Sequence, residues 1–397
     1  MKWTSTKLLV ALAFVGLMSM LFVGTVSADT MNADDYNEAM FNKNMDIWFM
    51  LMLVAFLMLF IRKFEWGVCL GVLLVTATSF ISYMFIDQFY LGKDFSQVWS
   101  MGNMIMAVVC SITAVIGIGV FLGTIRMWQY LVAGVFFGAT FQLVLWTMNS
   151  LIPDLGLGTP VDPGGSILVH MLAAYWGWGV ILALREKKAF DEPMYISKHS
   201  TSFVWLASML LFVLWPSFVT GTLDNMADVT MGTITCYMAG IGSIISAYLV
   251  CVGVQKKVNP LIYTYALLAG PVAIGSPLLA FDMEIAAWAA LGLGLIAGAI
   301  SALSFIFLQP WLCKKAGVLD VMGVHNLHGV GGWLGALTAA IVVSGAFSAN
   351  VAAAILVVVI GLGTGAICGG VIRLTRKEQE WFTDDTDFID NPAPKTQ

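Results

Sequence analysis

Two of the chain's four histidines, His325 and His328, stand three residues apart in DVMGVHNLHGVGGWLG, residues 320–335, within an otherwise apolar segment. A third, His170, sits in GGSILVHMLAAYWG, a segment of the same character. An imidazole carried into hydrocarbon loses its hydration unless a partner replaces it, so ionisable side chains in such segments tend to face a cavity or pathway. A neutral imidazole has one ring donor and one ring acceptor, and a hydrogen bond between two of them fixes both tautomers. Two rings in one apolar conduit would then offer a small polar molecule both a donor and an acceptor. The expectation from sequence is that His170 and His325 meet across such a conduit.

The neighbouring residues frame that pair. Asp162 lies eight residues before His170, and Pro163, Gly164 and Gly165 mark the end of a helix whose freed backbone N–H groups a carboxylate can accept. Capping and attraction of a cation to the mouth of a pathway are compatible roles for it. For His328, three residues from His325 and on nearly the same face of an α-helix, two readings stand. It extends the polar track inward, or it bonds a backbone carbonyl as an ordinary buried histidine. Asp320 serves an inner vestibule or, more plainly, a helix N-terminus. Tyr175, Trp176, Trp178 and Trp333 read as packing residues.

These residues need a frame that the composition supplies. Of 397 residues, 59% are hydrophobic and 11% charged, whereas soluble domains carry about twice that charge. Apolar runs near twenty residues, closed by charges, Pro or Asn/Asp clusters, indicate membrane helices rather than the alternating strands of a barrel. The fold class is all-α and polytopic, in contact with a lipid bilayer. The net charge of −5 does not suggest nucleic acid. The six cysteines show no CxxC pair and no metal-ligand spacing, and they read as small core residues; no cofactor is called for.

Residues 1–28 have the layout of a cleaved secretory signal, with a retained first helix as the alternative. Eleven segments follow, at 46–61, 67–86, 98–122, 128–152, 165–184, 202–223, 230–254, 260–280, 284–308, 324–346 and 350–372. The expected channel domain spans residues 29–376, and residues 377–397 form a short, weakly ordered cytoplasmic tail. With an outside N-terminus, Arg62, Lys63, Arg126, Arg185, Lys256, Lys257, Lys314, Lys315 and Arg373 all fall on the inner side. His170 lies in the fifth segment and His325 in the tenth, so a five-plus-five inverted repeat with one extra helix would bring them together near the midplane.

DPGGSILVHMLAAYWG and DVMGVHNLHGVGGWLG resemble the two signature stretches of the ammonium transporter and Rhesus family, and GVHNLHG and WPSF are similar to its Rhesus branch. The resemblance extends over nearly the whole mature chain. It implies that His170 and His325 are twin pore histidines sharing a hydrogen bond, that Asp162 is the acid at the base of the outer vestibule, and that Phe218 is a member of a phenylalanine gate. It further implies a homotrimer with one pore per subunit. The chain departs from the pattern where Met101, Met104, Met106 and Val109 stand in the region of the outer gate phenylalanine, and where Val219 follows Phe218.

The function so implied is conduction of ammonia, with ammonium recruited and deprotonated before a hydrophobic pore. No covalent chemistry is needed, so the chain is not read as an enzyme. A carbon dioxide or other neutral-gas channel, and an ammonium sensor that binds without transport, remain as alternatives. A metal site on His325 and His328 lacks a carboxylate or thiol at ligand spacing. A cytoplasmic regulator at the tail is a further partner that this topology allows.

Overall fold

The structure is a computed structural model that describes residues 33–186, 188–190, 194–375 and 381–389. The expected signal, residues 1–28, lies outside the described residues. Among the described residues there are helices and no strand. The principal ones are α1 (Ala33–Leu57), α2 (Glu65–Phe85), α3 (Met101–Ile118), α4 (Met127–Trp146), α5 (Leu172–Leu184), α6 (Lys198–Val219), α7 (Met226–Gln255), α8 (Pro260–Ala266), α9 (Ala269–Ile274), α10 (Met283–Leu303), α11 (Val330–Val342) and α12 (Phe347–Leu374). A helix bonds every interior backbone group to itself, as a hydrocarbon environment requires. Its free ends need partners, and side chains supply several. Ser100 accepts from Asn103 N before α3, Ser197 from Ser200 N before α6, and Asn225 from Ala227 N before α7.

Nine helices among the described residues are long and apolar enough to cross a bilayer. The expected segments 260–280 and 324–346 are helical but fall outside that set. The first is split into α8 and α9, because Pro271 lacks an N–H and its ring crowds the carbonyl four residues earlier, at Leu267. The second opens on the polar run His325–Asn326–Leu327–His328, wound as a π-helical turn before α11.

Packing is close where glycines remove the Cβ. Gly294 and Gly298 of α10 abut Ala239 and Ser243 of α7, while Gly365 and Gly369 of α12 abut Trp176 and Val180 of α5. Gly292, also on α10, faces open space. Five cysteines are buried as expected, and Cys69 is exposed on α2.

Of the tail expected to be weakly ordered, the described residues 381–389 dock onto the bundle. Phe382, 2% exposed, donates its N–H to Gly123 O at 3.0 Å. Asp384 accepts from the backbone N–H groups of Glu65, Trp66 and Gly67 at 3.1, 3.0 and 2.7 Å, closing the N-terminus of α2. Phe388 meets Trp66 edge to face.

Candidate functional site

Two similar turns deliver the site histidines. In the first, Gly165 adopts φ 81°, a left-handed conformation that glycine takes without strain, and Gly164 N–H donates to Gly275 O at 2.8 Å. Asp162 accepts from Ile167 N and, at 2.8 Å, from Leu168 N, while Ser276 Oγ donates to it at 2.6 Å. The chain then winds through a π-helical turn, Ser166–Met171, which carries His170 into the interior at 1% exposure. In the second, Gly323 adopts φ 69°, and Asp320 accepts from Val324 N, His325 N and Trp178 Nε1 at 3.0, 3.1 and 3.2 Å. The π turn His325–Gly329 follows and carries His328 inward.

Burial pushes both carboxyls up to about 6, because it disfavours their charged form, and the N–H and hydroxyl donors oppose that shift.

α5 and α11 run antiparallel. Ser166, at the start of the first turn, lies where a Cβ on Gly335 would be, and Trp178, well along α5, donates to Asp320 at the start of the second. Between these ends the two rings meet. His170 Nδ1 and His328 Nδ1 are 3.0 Å apart, with ring centroids at 5.1 Å and an interplanar angle of 25°.

The expected pairing of His170 with His325 is therefore corrected: the partner is His328. A π turn has i→i+5 bonds and holds more residues per turn than an α-helix, so positions three apart do not share a face. His325 turns instead to Tyr175, whose OH lies 3.3 Å from its Nε2, and to Trp178. Tyr175 OH also accepts from Trp333 Nε1 at 2.7 Å, so these aromatics make polar bonds that a packing role alone does not describe. Neither reading given to His328 from sequence, an inward extension or a carbonyl-bonded ring, describes the bond it makes. Of the two readings for Asp320, the helix N-terminus is the one its bonds match.

A signal for the pairing was present in the sequence. Asp162 and His170 are eight residues apart with Gly165 at the fourth position, and Asp320 and His328 repeat that spacing with Gly323 at the fourth.

A narrow cavity of ≈ 30 Å³ opens beside the pair, lined by Met50, Val54 and Leu57 of α1, Ile112 and Ile116 of α3, Trp215 and Phe218 of α6, and others. Phe218 and Trp215 stand 6.1 and 5.8 Å from the His170 ring. The α3 residues at this cavity are isoleucines; Met101, Met104, Met106 and Val109 do not line it. His170 Nε2 and Trp215 Nε1 are buried and make no hydrogen bond. Asp162 lines a different recess, of ≈ 620 Å³, with Asn149, Val343 and Ser344. Among the described residues no cluster suited to a metal ion occurs.

The Nδ1–Nδ1 bond dictates the chemistry available. One ring must donate through Nδ1–H, leaving its Nε2 an acceptor; the other accepts at Nδ1, so its Nε2 carries a proton and donates. The pair thus has one acceptor and one donor to present in an apolar setting.

Fold and site together define a helical, multi-pass membrane protein with a paired imidazole at a narrow internal cavity. The profile of the Ammonium Transporter Family matches residues 6–388, and the chain belongs to that family, whose members are transporters and channels, not enzymes. It is 31% identical to mouse ammonium transporter Rh type A over 330 residues, covering 80% of this chain and 72% of the relative. Against the bovine Rh type A it is 31% identical over 299 residues, covering 73% and 67%. Among solved structures it is similar to the Rh50 channel of Nitrosomonas europaea, with a TM-score of 0.85, 30% identity and coverage of 91% and 95%. A sensor Amt protein shares the fold at a TM-score of 0.70 and 16% identity, covering 86% and 92%.

Proposed function

We propose that the chain conducts ammonia through a pore whose narrow polar point is the His170–His328 pair. The observation that carries this reading is the 3.0 Å bond between the two Nδ1 atoms beside the ≈ 30 Å³ cavity. A cavity needs about 10–15 Å³ of such space for one water, and ammonia is of similar size. Moving an intact ammonium ion into an apolar pore costs several kcal/mol or more in lost hydration. Removing its proton, with a pKa about two units above neutral, costs roughly 3 kcal/mol. Deprotonation before entry is the cheaper route, and the neutral molecule meets a donor and an acceptor at the pair.

Within this reading Phe218 gates the approach to His170, Asp162 holds the turn that delivers His170, and Asp320 holds the turn that delivers His328. The matching Asp-to-His spacings and the antiparallel α5 and α11 support an inverted five-plus-five repeat with eleven crossings. The distribution of Lys and Arg supports an outside N-terminus and a cytoplasmic C-terminus. A cleaved signal at residues 1–28, assembly as a homotrimer and a cytoplasmic regulator at the tail complete the proposal.

The test is ammonia entry into vesicles holding the purified protein, followed by an internal pH dye. Alkalinisation faster than in protein-free vesicles, and slowed in His170→Ala and His328→Ala, is the expected result. Rates equal to those of empty vesicles would refute conduction. A carbon dioxide gradient across the same vesicles separates an ammonia pore from a general gas pore.

A further inference from the structure

Lys43 lies on the face of α1 that leads to the cavity. Met50, Val54 and Leu57 of α1 line that cavity, and Ile47, one turn beyond Met50, packs closely against Gly221. Lys43 is one turn further along the same stripe, about 10 Å from Met50 at 1.5 Å per residue.

Its Nζ donates to Thr220 O at 2.8 Å and to Leu223 O at 3.1 Å. Those carbonyls belong to the turn that closes α6, two and five residues after Phe218. The end of a helix carries the negative pole of its dipole, and the Asp224 carboxylate strengthens it. Asp224, next in the chain after Leu223, acts electrostatically on Lys43. Carbonyl oxygens backed by a carboxylate at the end of a helix make a cation site, and the Lys43 ammonium already fills it.

We propose that Lys43 occupies, with its own tethered ammonium, the cation seat at the Phe218 end of the pore, formed by Thr220 O and Leu223 O. Free ammonium is thereby denied the seat nearest the gate, and the neutral base is what passes Phe218. This rests on the ammonia-channel reading and makes Lys43 a residue that determines which species is admitted. A fixed positive charge on the order of 10 Å away, at an effective dielectric of about 20, lowers the occupancy of a second cation by roughly tenfold, and the Lys43 ammonium acts in this sense on a cation approaching Phe218.

The experiment uses the full chain in detergent and in vesicles. Lys43→Ala removes the tethered group, so ammonium chloride, but not choline chloride, should raise its thermal midpoint by a few degrees through binding to the folded form. Wild type and Lys43→Arg, which keeps a tethered cation, should show no such ammonium-specific shift. In vesicles Lys43→Ala should pass a saturable current driven by methylammonium about tenfold above that of wild type. Absence of the ammonium-specific stabilisation in Lys43→Ala, or an equal shift in wild type, overturns the proposal. Should Lys43→Ala fail to fold, Lys43→Met keeps the stem without the charge. A methylammonium current about tenfold above wild type supports the proposal, and a wild-type current overturns it. The thermal readout does not depend on conduction, so failure of the channel reading and failure of the seat are told apart.

Discussion

His170 and His328 share a hydrogen bond between their Nδ1 atoms, while His325, three residues away, is bonded to Tyr175. The two histidines of one turn therefore have separate tasks, and substitution should separate them. His328→Ala leaves His170 Nδ1 buried without its partner, a cost of about 1–3 kcal/mol, and removes the donor–acceptor pair from the cavity. Ammonia flux into vesicles should fall about tenfold or more in His328→Ala and His170→Ala. The double variant should do little further harm, because the two rings act as one unit. His325→Ala should leave most of the flux intact. Equal losses in His325→Ala and His328→Ala would show that the pair is not the polar point of the pore.

The caps Asp162 and Asp320 predict an acid-side stability profile. Burial raises each folded-state carboxyl to about 6, above the ordinary aspartate value of about 4. Between those values the folded chain binds more protons than the unfolded chain, so stability falls as pH rises from about 4 to about 6 and then levels. A shift of two units corresponds to roughly 3 kcal/mol per group at most. Thermal unfolding in detergent across that range should show the fall, and Asp162→Asn should flatten part of it. A profile unchanged by Asp162→Asn would sink this account.

Much of the frame was legible because hydrocarbon imposes one rule, an apolar helix of fixed length, and the sequence repeats it. The nine membrane-length helices each overlap an expected segment. What was not legible followed from local winding. Residues 325–329 read as α-helix, which sets His325 and His328 on one face, yet the π turn separates them. Pro271 in the expected segment 260–280 was the visible mark of the break between α8 and α9. Asp162 was read correctly as a cap, since Asp before Pro-Gly-Gly has a local meaning. Docking of the tail was hidden, because Phe382 and Asp384 bind residues more than 250 positions away, Gly123 and the 65–67 turn, and nothing local announces such partners.

That docked tail gives a further prediction. Phe382 is buried beside Gly123 and Phe64, and Asp384 satisfies three N–H groups at the start of α2. Phe382→Ala should lower stability by about 3 kcal/mol, and Asp384→Ala by about 1–2 kcal/mol. Both should hasten proteolytic loss of the C-terminus. Proteolysis rates identical to wild type would show that the contacts do not hold the segment in place.

Glycine contacts between α7 and α10 are equally specific. Gly294 faces the Ala239 backbone with no room for a Cβ, whereas Gly292 faces open space. Gly294→Ala should force the two helices apart and lower the unfolding temperature by several degrees, with an overpacking cost of about 1–3 kcal/mol. Gly292→Ala should be neutral or slightly stabilising, because alanine restricts the unfolded chain. Similar melting temperatures for the two variants would contradict the contact.

Phe218 sets the last prediction, which concerns size rather than polarity. It is 7% exposed, packs edge to face with Trp215 and stands beside His170 at the wall of the cavity. Phe218→Ala removes an aromatic ring at a cost of about 3–5 kcal/mol in stability and widens the approach to the pair. Methylamine should then gain on ammonia: the ratio of their fluxes into vesicles should rise several-fold, while Phe218→Leu, which restores part of the volume, should fall between the variant and wild type. The two amines bring the same hydrogen-bonding nitrogen to His170 and His328 and differ by one methyl group, so a changed ratio reports width. An unchanged ratio, with both fluxes lowered alike, would mean that Phe218 supports the bundle and does not gate it.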